Sequence, residues 1–124
     1  MKIHKIIYAE SDSSFRDAFN GVLKYYLKEN GIKAKVDNVN SGKKLSDNVI
    51  GGEYDLTFAD SPFLDAVDRI RAAGKKLPIY VIVRGYPSVE QLALEHGATG
   101  YIDKADERSP EKLGRILIKH LTGK

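Results

Sequence analysis

The chain contains no cysteine, which excludes disulfide bridges, zinc sites built on thiolates and a cysteine nucleophile together. Long apolar runs are missing too. None approaches the ~20 residues of a membrane span, and the opening stretch Met1 to Ala9, carrying Lys2, His4 and Lys5, is too short and too charged for a signal-peptide core. A cytoplasmic protein without a membrane partner is expected. There is no glycine-rich phosphate loop, no Gly-x-Ser-x-Gly elbow and no histidine pair at metal-ligand spacing, since His4, His96 and His120 are scattered. An independent enzyme is therefore not expected. The 20 Lys and Arg residues exceed the 17 acids only slightly and are mixed with them. With neither a basic stripe nor a recognition-helix pattern, direct nucleic-acid binding by this domain is not expected.

What is present is a globular composition, 42% hydrophobic and 30% charged over 124 residues, enough to bury a core without staples. Repeats and linkers are absent, so one domain is expected over 1–124. Strand-like runs occur at Ile3 to Ala9, Ala34 to Val39, Leu56 to Ala59, Ile79 to Val83 and Gly100 to Ile102. Between them, helical spacing links Phe15, Ala18, Phe19, Val22 and Tyr26, then Phe63, Val67 and Ile70, then Val89, Leu92 and Ala93, and last Leu113, Ile116, Leu117 and Leu121. A weaker helix is expected over Lys43 to Ile50. Gly31 suits a C′ position, Ser61-Pro62 and Ser109-Pro110 suit an N-cap followed by proline at N1, and Ser88 with Gln91 forms a capping-box pattern. Alternating strands and helices predict an α/β fold, a doubly wound parallel sheet with helices on both faces.

Ligands of such sheets bind outside the carboxyl ends of the strands, where the strand order reverses. The residues there are Glu10-Ser11-Asp12 after the first strand, Asp60 after the third, Val83-Arg84-Gly85 at the fourth and Asp103-Lys104 after the fifth. Clustered carboxylates need a cation or an ammonium to offset them, which points to a divalent metal or to Lys104. These residues have a plainer role open to them, capping the helices that follow: Asp12 or Ser13 the first, Asp60 or Ser61 the third. His120 falls on the apolar stripe of the last helix and reads as a packing histidine. Arg84 either pairs with Asp60 or Glu10 as a built-in cation or points to solvent.

The stretches Tyr54 to Asp60, Pro78 to Val83 and Gly97 to Lys104 resemble a response-regulator receiver domain, with a likeness that runs from Lys2 to Leu121. The resemblance implies a flavodoxin-like five-stranded sheet of order 2-1-3-4-5. It implies that a histidine kinase phosphorylates Asp60, that Mg²⁺ is held by Asp60 and by acids after the first strand, here Glu10 and Asp12, and that Lys104 pairs with the phosphoryl group. Several positions depart from the family pattern. Aligned on Arg16, Ser11 stands where the direct metal ligand belongs. Val83 replaces the switch hydroxyl that partners the switch aromatic, here Tyr101. The loop after Asp60 is short, and Ala105 replaces the proline after Lys104, with Asp103 placed to compete for the ammonium. The expected function is a pseudo-receiver that signals through contact with a protein partner or forms a homodimer. The contact surface would be helix 4, strand 5 and helix 5, including Val89, Leu92, Tyr101, Arg108 and Arg115. The alternative is a Mg²⁺-dependent phosphoacceptor with a changed output.

Overall fold

A computed structural model of the chain describes residues 2–84 and 87–122; Gly85, expected at the end of the fourth strand, lies outside them. In chain order the elements are β1 (His4–Ala9), α1 (Ser13–Glu29), β2 (Ala34–Val39), α2 (Gly42–Gly51), β3 (Leu56–Asp60), a 3-10 turn (Ser61–Phe63), α3 (Leu64–Ala72), β4 (Ile79–Val83), α4 (Pro87–Glu95), β5 (Gly100–Asp103) and α5 (Ser109–Leu121). The strands form one parallel sheet ordered β2-β1-β3-β4-β5. The order reverses between β1 and β3, so the crevice predicted for this topology opens at the ends of those two strands.

Burial explains why β3 and β4 read as unbroken apolar runs: all five residues of each are buried, as a strand covered on both faces requires. The period of two in each strand then sorts the core. Ile6, Tyr8, Phe58, Tyr80 and Ile102 pack against Phe19, Leu23 and Leu27 of α1 and Leu113, Ile116 and Leu117 of α5. Ile7, Ala9, Ala59, Val81 and Val83 face Leu45 and Val49 of α2, Val67 and Ile70 of α3 and Ala93 of α4. Helices α1 and α5 thus cover one face and α2, α3 and α4 the other.

Two local expectations, for Gly31 and His120, hold. Gly31 ends α1 at φ +63°, and the amides of Gly31 and Ile32 donate to the carbonyls of Lys28 (3.1 Å) and Leu27 (2.9 Å), a Schellman pair that closes the helix. His120 stacks obliquely against Tyr80, ring centroids 5.5 Å apart, with the Tyr80 hydroxyl 2.7 Å from Nε2. Gly114 lets α5 approach α1, because a Cβ there would stand 2.9 Å from the Tyr26 ring.

Other expectations do not hold. β1 starts at His4, leaving Ile3 exposed, while β3 and β5 each run one residue further than expected, because Asp60 pairs with Ile82 and Asp103 with Val83. Ser61 does not cap α3. The Asp60 carboxylate takes the Ser61 amide first, at 3.0 Å, and the chain makes a tight turn before α3 begins at Leu64. Ser109 is the first residue of α5 and its hydroxyl donates to the Asp103 carbonyl, which ties the helix start to the end of β5. Ser88 lies inside α4, which already begins at Pro87, so it is not placed to cap.

Candidate functional site

Glu10, Asp60 and Lys104 converge above the ends of β1, β3 and β5. Glu10 directly follows β1, held by its amide on the Val39 carbonyl (3.0 Å), and its side chain has no solvent exposure. Lys104 follows β5, fixed by its amide on the Val83 carbonyl (2.7 Å). Its ammonium lies 3.2 Å from Oδ1 of Asp60 and 3.3 Å from Oε1 of Glu10. Glu10 is bound on both oxygens, since the Tyr8 hydroxyl donates to Oε1 (3.3 Å) and the Asp12 amide to Oε2 (3.2 Å). The remaining side of the ammonium meets the Phe15 ring, 4.0 Å from its centroid.

Two buried carboxylates face one cation, so the charges do not balance unless a proton joins them. Burial, and after it a hydrogen bond with Asp60, push the Glu10 carboxyl above its ordinary value, outweighing the Asp12 amide and Lys104, which act the other way. The Tyr8 phenol is driven far up by burial and by Glu10 beside it, so it acts as a donor. The cluster can hold a proton between Glu10 and Asp60 while Lys104 neutralises what charge is left.

The expected metal set of Glu10, Asp12 and Asp60 is not brought together. Oδ1 of Asp12 accepts the amides of Ser14 (2.9 Å) and Phe15 (3.2 Å), so this carboxylate caps α1. Among the described residues no three His, Cys, Asp or Glu side chains gather at metal-binding spacing. Mg²⁺ asks for oxygen ligands in near-octahedral order, whereas here Glu10 and Asp60 share the Lys104 ammonium, and Ser11, which has no carboxylate, lies on an exposed segment. The donor set as arranged does not fit the metal. Arg84 is exposed and forms no ion pair with Asp60 or Glu10 among the described residues; the built-in cation is Lys104. Asp103 does not compete for it, because Oδ1 of Asp103 accepts the amide of Ala105 at 2.8 Å and closes its own turn.

Val83 is fully buried in the core under α3 and α4, and its side chain has no hydroxyl to offer toward the crevice. Tyr101 is half-buried on the same face, with the Lys112 ammonium 4.4 Å from its ring centroid. The Glu90 carboxylate, chiefly, pushes its phenol up. On the face formed by α4, β5 and α5, Leu92 is 42% exposed and Arg108 and Arg115 are exposed, while Val89 is half-buried. Tyr8, Phe15 and Lys112 were not singled out by sequence as site residues. For Tyr8 a signal existed, because residues two apart on a strand share a face and Tyr8 is two before Glu10.

No protein-family model matches the sequence, and no curated protein matches it. Solved structures do. The signal receiver domain of the response regulator NarL from Mycobacterium tuberculosis superposes with a TM-score of 0.78 at 16% identity over the whole of both chains. The receiver domain of the Francisella response regulator 1452 gives 0.69 at 21% identity, covering 94% of this chain and 97% of that one. The receiver domain of Saccharomyces cerevisiae Ssk1, solved with the histidine phosphotransfer protein Ypd1, gives 0.73 at 14% identity, covering 97% and 90%. The chain therefore has the fold of response-regulator receiver domains, and the cluster of Asp60, Lys104 and Glu10 sits at the strand ends of that fold.

Proposed function

We propose that this chain is a receiver-like signalling module whose phosphoacceptor centre is degenerate and which acts in the cytoplasm by contact with a protein partner rather than as an enzyme. The observation that carries this reading is the Lys104 ammonium seated within 3.3 Å of both Asp60 and Glu10, a cation supplied by the chain itself at the position where the fold's crevice gathers negative charge. Three features support it. Asp12 is spent as a helix cap, Ser11 offers no carboxylate, and Val83 cannot report a phosphoryl group. Output then falls to a surface, and the face of α4, β5 and α5, with Leu92, Tyr101, Arg108 and Arg115, offers apolar and charged groups side by side for a protein partner or a second copy.

A second reading keeps Asp60 as a phosphoacceptor. It is favoured by the Asp60–Lys104 contact itself, since an ammonium so placed would also meet a transferred phosphoryl group, and by the Ssk1 receiver's partnership with a phosphotransfer protein. Mg²⁺ and a histidine kinase would then be required. Titration with Mg²⁺ and beryllofluoride, following the amide resonances of Asp60 and Tyr101, separates the two readings. The degenerate centre predicts no saturable shift; a saturable shift at Asp60 overturns it in favour of the phosphoacceptor.

A further inference from the structure

The cluster of Glu10, Asp60 and Lys104 raises a question of restraint. A lysine carries four rotatable side-chain bonds and a compact ammonium that can leave its partners cheaply, yet here one ammonium must serve two buried carboxylates. Its two ion-pair distances, 3.2 and 3.3 Å, need the Nζ atom held from a third side. That side is the face of Phe15, whose centroid lies 4.0 Å from Nζ. Only 9% of the Lys104 side chain is exposed, so this cation–π contact is largely desolvated and stronger than one on an open surface.

We infer that Phe15 is the positioning residue that keeps Lys104 on the Glu10–Asp60 pair, and that Asp12 acts in the site by fixing Phe15 rather than by binding a metal. This rests on the reading of Glu10, Asp60 and Lys104 as the functional cluster. Asp12 accepts the Phe15 amide at 3.2 Å, which sets the first turn of α1 and with it the origin of the ring. Phe15 then lies against Phe19 (centroids 6.3 Å apart), Phe19 against Tyr8 (4.5 Å), and the Tyr8 hydroxyl reaches Glu10 at 3.3 Å. The contacts close a circuit from Glu10 through Tyr8, Phe19 and Phe15 to Lys104 and back.

The restraint is needed because the ring is not hemmed in by packing alone. Phe15 also lines a cavity of about 250 Å³ between α1 and the start of α5, shared with Ala18, Val22, Ile102 and Leu113. A ring that swung into this space would leave the ammonium without its third wall. Leucine would fill a similar volume and offer no negative ring face, so aromatic character, not bulk, is the property that matters.

The test uses the full chain, the substitutions Phe15→Leu and Phe15→Tyr, and two readouts. In the wild type the ε-methylene protons of Lys104 should resonate upfield of those of the other lysines, because they lie over the ring. In Phe15→Leu they should return to the ordinary position, and acetylation of Lys104 by acetic anhydride, followed by mass spectrometry, should run about tenfold faster. Phe15→Tyr should restore both. An ordinary shift in the wild type, an unchanged acetylation rate in Phe15→Leu, or failure of tyrosine to restore it would overturn the inference. If Phe15→Leu does not fold, the wild-type shift decides alone. A saturable response of the wild type to Mg²⁺ and beryllofluoride would instead overturn the degenerate-centre reading, and the Lys104 shift would still judge Phe15 separately.

Discussion

Lys104, which follows β5, stands 3.2 Å from Asp60 at the end of β3, and it is the sole cation within ion-pair distance of Asp60 among the described residues. Removing its charge strands two buried acids. The substitution Lys104→Met keeps much of the side-chain length and should cost ~3 kcal/mol at neutral pH, the scale for breaking a buried pair. Adding Glu10→Gln and Asp60→Asn removes the uncompensated charges and should recover most of the loss. Urea unfolding of the single and triple variants measures both; a single variant within ~0.5 kcal/mol of the parent would remove Lys104 as the counter-ion.

Glu10 predicts how stability changes with acidity. Burial, then the hydrogen bond with Asp60, raise its folded-state value above the 4.5 of the unfolded chain. The folded protein then holds a proton that the unfolded chain has released, so this contribution is complete below pH 4.5 and is lost as pH rises through the folded value. Glutamine does not titrate. The stability of Glu10→Gln relative to the parent should therefore grow from about pH 4.5 upward and then level off. Unfolding midpoints across that range test the sign, and a gap that stays constant, or shrinks, would contradict it.

Thr57 offers a stability gain away from the site. Its side chain is fully buried on β3, and its hydroxyl has no hydrogen-bond partner among the described residues. Valine has nearly the same shape, keeps the β-branched form that suits a strand, and leaves no polar group stranded. Thr57→Val should stabilise the domain by ~1 kcal/mol, seen as a higher urea midpoint with an unchanged slope. A loss of stability would mean that the hydroxyl is satisfied in solution.

These contrasts show which parts of the molecule the sequence made legible. The strands could be read because β3 and β4 are short apolar runs bounded by turn residues, and their termini shifted only where Asp60 and Asp103 continue the ladder. Strand ends placed Glu10, Asp60 and Lys104 near one another, because the end of a strand in a parallel sheet is a fixed place. Side-chain direction could not be read in the same way. Asp12 had two uses open to it, and only the φ of −84° and ψ of 109° at that residue, aiming its carboxylate at the amides of Ser14 and Phe15, decided for the cap. Arg84 and Lys104 were both able to reach the acids by length. Lys104 took the position because its backbone is pinned to Val83, whereas Arg84 is exposed. The role of Phe15 depends on a ring meeting an ammonium 89 residues away in the chain, a contact that no local pattern encodes.

His120 gives the second acidity dependence, with the opposite sign to Glu10. Burial, aided by the charge of Lys119, lowers its folded-state value below 6.5, and Nε2 of the ring lies in hydrogen-bond contact with the Tyr80 hydroxyl at 2.7 Å. The folded protein resists taking up the proton that the unfolded chain binds. Its contribution is therefore present above pH 6.5 and is lost as pH falls through that value toward the folded one. His120→Phe keeps a ring against Tyr80 and cannot titrate. At neutral pH it should cost ~1 kcal/mol, because the half-enclosed Tyr80 hydroxyl loses its hydrogen-bond partner, but its stability should fall less steeply than the parent's as pH drops below 6.5. Thermal melts from about pH 8 to about pH 5 compare the two slopes. Parallel curves for parent and variant would show that His120 is as free to protonate in the fold as in the unfolded chain.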